Sequence, residues 1–173
     1  MLPGLTLVLG AAASGKSAVA EGLVKGAGRS CVYLATAQAQ DDEMRAKLAR
    51  HRAARGDGWR TVEEPLEVGQ ALAGISGDSA VLLDCATMWL SNHLLADHDL
   101  AEAEAGLMAG LALCSAPVVV VSNEVGASVV PENALARRFR EEQGRLNQRL
   151  AAKAGLVVHV IAGLPQVLKG ETP

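Results

Sequence analysis

Short apolar runs, almost unbroken by polar residues, recur along the chain and organise it. They are Leu5-Thr6-Leu7-Val8-Leu9, Cys31-Val32-Tyr33-Leu34-Ala35, Ala80-Val81-Leu82-Leu83-Asp84, Val118-Val119-Val120-Val121-Ser122 and residues 156–161. Runs of this length that do not alternate with polar residues read as strands buried on both faces. Residues 59–63 have weaker strand character. Between the runs the apolar spacing turns helical, over residues 17–24, 41–55, 88–95, 100–113 and 134–154, with a weak helix from Pro65 to about Leu72. Gly26 and Gly28 close the first helix, and Gly56-Asp57-Gly58 stops the one opened by Asp41-Asp42-Glu43, whose acidic first turn suits the helix dipole. Residues 123–133 read as a loop, and the tail after Gly163 as short and frayed. This alternation predicts an α/β fold, a mostly parallel sheet with helices on both faces, as a single domain over residues 1–173. Ligands of such sheets sit beyond the carboxyl ends of the strands, which singles out Gly10, Thr36, Asp84 and Asn123-Glu124.

The first of these ends carries the most specific motif. Gly10-Ala11-Ala12-Ala13-Ser14-Gly15-Lys16-Ser17 stands between the first strand and the first helix, the context of a Walker A loop. Gly10 and Gly15 admit positive φ and a close backbone approach to phosphate. Successive N–H groups at the helix start form an anion nest. Lys16 supplies a charge to the β- and γ-phosphates, and the Ser17 hydroxyl a ligand to Mg²⁺. The pattern predicts a nucleoside-triphosphate site.

Composition narrows the class. The net charge is −3, and the aromatic residues are only Tyr33, Trp59, Trp89 and Phe139. Neither a phosphate-gripping nucleic-acid surface nor a base-stacking platform fits those values. Half of the residues are apolar, and the core is expected to be Ala, Val and Leu. Cys31, Cys85 and Cys114 lack metal-site or redox spacing and read as small buried residues in a reducing compartment. With no signal peptide and no apolar run long enough to span a bilayer, the expected location is the cytoplasm.

Further candidates stand beside the loop. Asp84 after an apolar run has the form of a Walker B carboxylate holding Mg²⁺; the alternative is a cap on the next helix. Residues 41–55 carry Arg45, Lys47, Arg50, His51, Arg52 and Arg55, with Arg60 beyond. They read either as a solvated helix face or as a phosphate clamp around a neutral, nucleophilic His51. Arg137, Arg138, Arg140, Arg145 and Arg149 form a second basic set, in which Arg137–Glu141 and Arg138–Glu142 have i,i+4 spacing. Contacts to an anionic ligand are the rival explanation. Asn123-Glu124-Val125-Gly126 is a polar sensor of nucleotide or substrate, or an ordinary turn. His93, His98 and His159 lack ligand spacing and read as structural.

Taken together, these residues resemble the bifunctional adenosylcobinamide kinase / adenosylcobinamide-phosphate guanylyltransferase family of cobalamin biosynthesis. The resemblance rests on residues 10–17, Tyr33-Leu34-Ala35-Thr36-Ala37, Asp41-Asp42-Glu43-Met44-Arg45, His51-Arg52-Ala53-Ala54-Arg55, Trp59-Arg60-Thr61 and Leu83-Asp84-Cys85. It continues through Ser122-Asn123-Glu124-Val125-Gly126, residues 130–137 and residues 144–150, covering most of the chain in order. It implies a P-loop NTPase scaffold of the RecA-like kind with two reactions. A nucleoside triphosphate, ATP or GTP, phosphorylates adenosylcobinamide; GTP then donates GMP to that phosphate and pyrophosphate leaves. The family's GMP–histidine intermediate maps to His51. Its guanine-nucleotide contacts map to Ala35, Thr36 and Ala37, to Arg52, Ala53, Ala54 and Arg55, to Glu63 and to Asp84. Its members are homotrimers. One departure stands out: the family loop reads Gly-Gly-x-Arg-Ser-Gly-Lys-Ser, and here the second Gly and the Arg are Ala11 and Ala13. The competing readings are a small-metabolite P-loop kinase without guanylyl transfer and a nucleotide-binding switch.

Overall fold

The computed structural model describes residues 1–38, 56 and 58–173, so the helix expected at 41–55, with His51, lies outside the described residues. The elements are β1 (Leu5–Gly10), α1 (Lys16–Gly26), β2 (Ser30–Ala35), β3 (Trp59–Glu63), α2 (Val68–Ala73), β4 (Ser79–Asp84), α3 (Ala86–Leu95), α4 (Leu100–Leu113), β5 (Val118–Asn123), α5 (Ala134–Lys153), β6 (Leu156–Ile161) and β7 (Leu164–Lys169). They build a seven-stranded sheet in the order β3-β2-β4-β5-β1-β6-β7. Every pairing is parallel except that of β7 with β6. The mostly parallel α/β prediction is borne out.

Strand pleating divides the core between two faces. Val8, Leu82, Val119, Val121, Val158 and Val160 pack with Ala20 and Val24 of α1. Leu7, Leu83, Val118 and Val120 pack on the other face with Val68, Trp89, Leu107, Leu146 and Leu150 from α2 to α5. Burial on both sides explains the unbroken apolar runs, each buried Leu or Val contributing about 1.5–3 kcal/mol. The core is aliphatic as composition required. Cys85 is buried, whereas Cys31 and Cys114 are partly exposed, and all three are free thiols.

Two expectations are corrected. The tail beyond Gly163 is not frayed: β7 pairs with β6 across the two-residue turn Ala162-Gly163, with φ of 51° and 81°. Positive φ at both turn residues matches the twist of a tight hairpin. The sequence hid this strand because Pro165 interrupts it and its residues are exposed, as an edge strand allows. Lys169 Nζ then donates to the Ala151 and Ala152 carbonyls at 3.0 Å, tying β7 to the end of α5.

The second correction concerns the basic set of α5. Arg145 pairs with Glu141 at 3.6 Å and with Glu142 at 2.8 Å, and Arg149 pairs with Glu104 of α4. Arg137 donates to the Pro131 carbonyl at 3.0 Å and to that of Glu132, while Arg140 donates to Gly126. Loop carbonyls beside the start of the helix attract these two arginines, and the i,i+4 carboxylates go to Arg145.

Candidate functional site

β1 delivers the chain to Gly10, where a side chain has no room. A Cβ there would lie 2.8 Å from the Val160 carbonyl oxygen and overlap Ser14 Oγ. Gly15 caps α1 at φ 89° and ψ 3°, and a Cβ on it would stand 3.0 Å from Gly163 Cα. Gly10, whose φ is not positive, is thus required by close packing, whereas Gly15 serves both the packing and the turn. The loop is pinned by Ser14 N–H to Ala11 O at 3.3 Å and by Gly163 N–H to Ser14 O at 2.8 Å. The hairpin that the sequence hid thus buttresses the loop. Lys16 Nζ donates to Ala11 O at 3.0 Å, folding back over the loop. Gly15 has no side chain with which to cap the α1 N-terminus, which leaves the first-turn amides to the loop. Of the two departures from the family loop, Ala11 avoids positive φ, whereas Ala13 sits at φ 55°.

Alternation along the strands decides which other residues meet the loop. Asp84 shares a face with Ala80 and Leu82, and Ala35 with Tyr33, all on the α1 side of the sheet. Asp84 and Glu63 both stand opposite Ala35 in register, and Asn123 stands opposite Gly10. A cavity of about 580 Å³ opens over these ends, lined by residues 12–18, Tyr33, Ala37, Asp84, Cys85, Met88, Val121 and Asn123. The structure thus gathers Ala12, Ala13, Ser14, Gly15, Lys16, Ser17, Ala37 and Asp84 around one space. Ala35 and Thr36 are buried beneath it, and Glu63 is exposed at the end of β3, outside the lining. His51, Arg52, Ala53, Ala54 and Arg55 lie outside the described residues.

Asp84 does not cap the next helix. That position belongs to Cys85, whose sulfur accepts the Met88 N–H at 3.4 Å. Asp84 is oriented instead by Tyr33, whose hydroxyl donates to Oδ2 at 2.9 Å. Sequence reasoning gave Tyr33 no role of its own, although its place two residues before Ala35 puts both on one face. Thr36 locks the adjacent turn: its hydroxyl donates to the Cys85 carbonyl and accepts the Cys85 N–H, both at 2.8 Å. Asn92 Nδ2 donates to the carbonyls of Thr36 at 2.9 Å and Pro65 at 3.0 Å, joining the segments that leave β2 and β3.

His93 and His98 are engaged with one another and with a backbone carbonyl. His93 Nε2 lies 3.2 Å from the Leu66 carbonyl and its Nδ1 lies 3.1 Å from His98 Nδ1. Burial holds the His93 pKa below the usual imidazole range. Among the described residues no group of three or more His, Cys, Asp or Glu is arranged to hold a metal ion. Nor is any described helix long and apolar enough to cross a membrane.

Burial first, and the Asp84 carboxylate second, push the Cys85 thiol up from 9.0 to about 11, against opposing effects of the Met88 and Thr87 N–H groups and Lys16. The thiol beside the loop is therefore protonated at neutral pH. An unfolded chain ionises this group first, so folding stability falls from pH 9 and levels near 11, by roughly 2–3 kcal/mol. Cys85→Ser retains a capping oxygen and removes the titration. Urea unfolding at pH 8 and pH 11 should show a smaller alkaline loss in that variant. Equal losses would refute the assignment.

A glycine-bounded phosphate cradle at a helix start, with a carboxylate at the end of the strand one removed from β1, defines a P-loop NTPase of the RecA-like kind. A family model described as "Cobinamide kinase / cobinamide phosphate guanyltransferase" matches residues 6–168, and the chain belongs to that family. It is 44% identical over 169 residues to the bifunctional adenosylcobalamin biosynthesis protein CobP of Pseudomonas aeruginosa, covering 95% of this chain and 97% of that protein. It is 40% identical to the bifunctional adenosylcobalamin biosynthesis protein CobU of Escherichia coli, covering 95% of this chain and 99% of that one. Among solved structures it resembles the flagellar accessory protein FlaH of Methanocaldococcus jannaschii, with a TM-score of 0.54 and 11% identity, over 99% of this chain and 80% of that one. That likeness concerns the fold.

Proposed function

We propose that this protein phosphorylates the hydroxyl of adenosylcobinamide from a nucleoside triphosphate, ATP or GTP, and then transfers GMP from GTP to the product. The observation carrying this reading is that loop residues 12–17 and Asp84 line one cavity, in a chain that matches the kinase/guanylyltransferase family over residues 6–168. In the first step the loop amides and Lys16 hold the β- and γ-phosphates while the substrate hydroxyl attacks the γ-phosphorus. Positioning and charge neutralisation are most of what this chemistry asks of a protein.

In the second step His51 attacks the α-phosphorus of GTP, pyrophosphate leaves, and a GMP–histidine forms. The phosphate of adenosylcobinamide phosphate then attacks that phosphorus and His51 is released. Splitting the transfer in two replaces one displacement between two polyanions by two easier ones. Arg52 and Arg55 are assigned to the nucleotide phosphates, and Ala35, Thr36, Ala37, Ala53, Ala54 and Glu63 to its remaining contacts.

Ser17 and Asp84 would hold Mg²⁺. A hydroxyl and a single carboxylate lining the same cavity as Lys16 are the hard-oxygen set this ion takes when phosphates and waters complete its shell. Bound there, the ion would neutralise phosphate charge. A homotrimer belongs to the same reading, and light scattering would then give three times 17.9 kDa.

The test is incubation with α-labelled GTP and Mg²⁺, followed by denaturation. Acid-labile, base-stable label on the wild type, and none on His51→Ala, is the expected result. GTP binding without label on the wild type would overturn guanylyl transfer and leave a kinase or a nucleotide switch.

A further inference from the structure

Asn123 ends β5, the strand between the loop strand β1 and the Asp84 strand β4, and lines the cavity, where the sequence left open a sensor of nucleotide or substrate or an ordinary turn. Its side chain projects on the face of Val119 and Val121, which is the α1 and loop face, by strand alternation. In register it stands opposite Gly10, where the phosphate cradle begins. The next residue continues that pairing, Glu124 N–H donating to Gly10 O at 3.0 Å.

The backbone of Asn123 is held with unusual thoroughness. Thr87 Oγ1 accepts its N–H at 2.8 Å, and Asn147 Nδ2 donates to its carbonyl at 3.1 Å. Asn147 is itself fixed, because Oδ1 accepts from Ser122 Oγ at 2.6 Å and from Gln143 Nε2 at 2.9 Å. Ser122 and Gln143 are fully buried and Asn147 nearly so. Burying this much polarity in an aliphatic core is costly unless every group is satisfied, and Gln143 Oε1 has no partner among the described residues. An apolar cluster would stabilise the sheet better. What the network does supply is a strand end that cannot shift, with both backbone groups of Asn123 engaged away from the cavity and its amide left to the cavity side.

We propose that Asn123 is a catalytic residue of phosphoryl transfer, donating from its side-chain amide to the terminal phosphate of the bound nucleotide, with Thr87 and Asn147 as positioning residues. This rests on the kinase reading above. Lys16 reaches the phosphates from the loop and Asn123 from the strand. Asp84, a carboxylate, only accepts hydrogen bonds and the Tyr33 hydroxyl is directed to it, so among the described strand residues lining the cavity Asn123 supplies the side-chain N–H donor. A neutral amide adds one without changing the site's charge, and a donor held rigid before the reaction acts on charge as it redistributes over the equatorial oxygens. In guanylyl transfer the terminal phosphate departs unchanged within pyrophosphate. The same contact is then present before and during reaction and gives little rate advantage.

The experiment compares Asn123→Ala, Asn123→Ser, Thr87→Val and Thr87→Ser with the wild type. Steady-state phosphorylation of adenosylcobinamide and the rate of covalent labelling by α-labelled GTP are both measured. Asn123→Ala should lose about 10²-fold in kcat for phosphorylation, with nucleotide KM within about threefold and labelling within about threefold. A thermal melt serves as the folding control, and Asn123→Ser is a second variant if Asn123→Ala fails it. Thr87→Val should lose about tenfold in the same kcat, and Thr87→Ser, which keeps the acceptor, should recover it.

Phosphorylation by both Asn123 variants within twofold of wild type would overturn the inference and leave the proposed function standing. A loss confined to nucleotide KM, or equal losses in both reactions, would overturn the catalytic role. A wild type that phosphorylates no adenosylcobinamide would overturn the function and this inference with it.

Discussion

Lys16→Ala should reduce phosphorylation of adenosylcobinamide by about 10³-fold or more while leaving the fold intact. Lys16 opens α1 and its ammonium lies over the loop, donating to Ala11 O at 3.0 Å. That hydrogen bond lies at an exposed position and contributes little stability. On the proposed reading, a bound triphosphate would cover the same ammonium, which would then face charge that moves as the γ-phosphoryl transfers. Removing such a group from other phosphoryl-transfer sites costs several powers of ten. The check is kcat beside a thermal melt. Phosphorylation within tenfold of the wild type at an unchanged Tm would remove Lys16 from the catalytic group.

Gly10→Ala should be nearly as damaging, by a different route. The added Cβ would stand 2.8 Å from the Val160 carbonyl and overlap Ser14 Oγ. Val160 is paired with Gly10 in the sheet and cannot retreat without breaking that register. The loop must move, and Ser14, whose carbonyl accepts from Gly163 at 2.8 Å, moves with it. Overpacking of this kind costs about 1–3 kcal/mol, and Tm should fall by roughly 2–4 °C for each. Nucleotide binding, which needs every loop amide in place, should fall by at least about tenfold. Isothermal titration with a nucleotide, beside a melt, reads both. Wild-type affinity at a wild-type Tm would mean that the loop accommodates a methyl group the geometry has no space for.

The Cys85 prediction differs from these in reading the environment of a group rather than its chemistry. A thiol held protonated by burial and by Asp84 is excluded as a nucleophile at neutral pH, although it lines the cavity. That agrees with the proposed assignment of the covalent step to His51 rather than to Cys85.

Much of the architecture was written in the chain order of residues. Unbroken runs such as Val118-Val119-Val120-Val121 can be satisfied only by burial on both faces, which requires a parallel sheet covered by helices. Gly10, Gly15, Lys16 and Ser17 were legible because loop chemistry is local: their tasks depend on spacing within a few residues. Asp84 was legible as a candidate, with a helix cap as the alternative. The seating of Cys85 at the cap position removes that alternative, and Tyr33 on Oδ2 orients the carboxylate.

What sequence alone could not decide is whatever depends on residues far apart in the chain. β7 is exposed, short and interrupted by Pro165, so it has no pattern of its own; pairing with β6 creates it, and only then does Gly163 reach Ser14. The arginines of α5 could be matched to carboxylates by spacing, but their real partners include carbonyls brought near by the fold of residues 126–132. The network of Ser122, Gln143 and Asn147 joins a strand to a helix more than twenty positions away. No periodicity encodes such a pairing. Local patterns specified the strands and the phosphate loop, because backbone geometry and burial act over a few residues. Tertiary packing specified what holds the loop, what orients Asp84 and what fixes Asn123, because those contacts exist only once the sheet has closed.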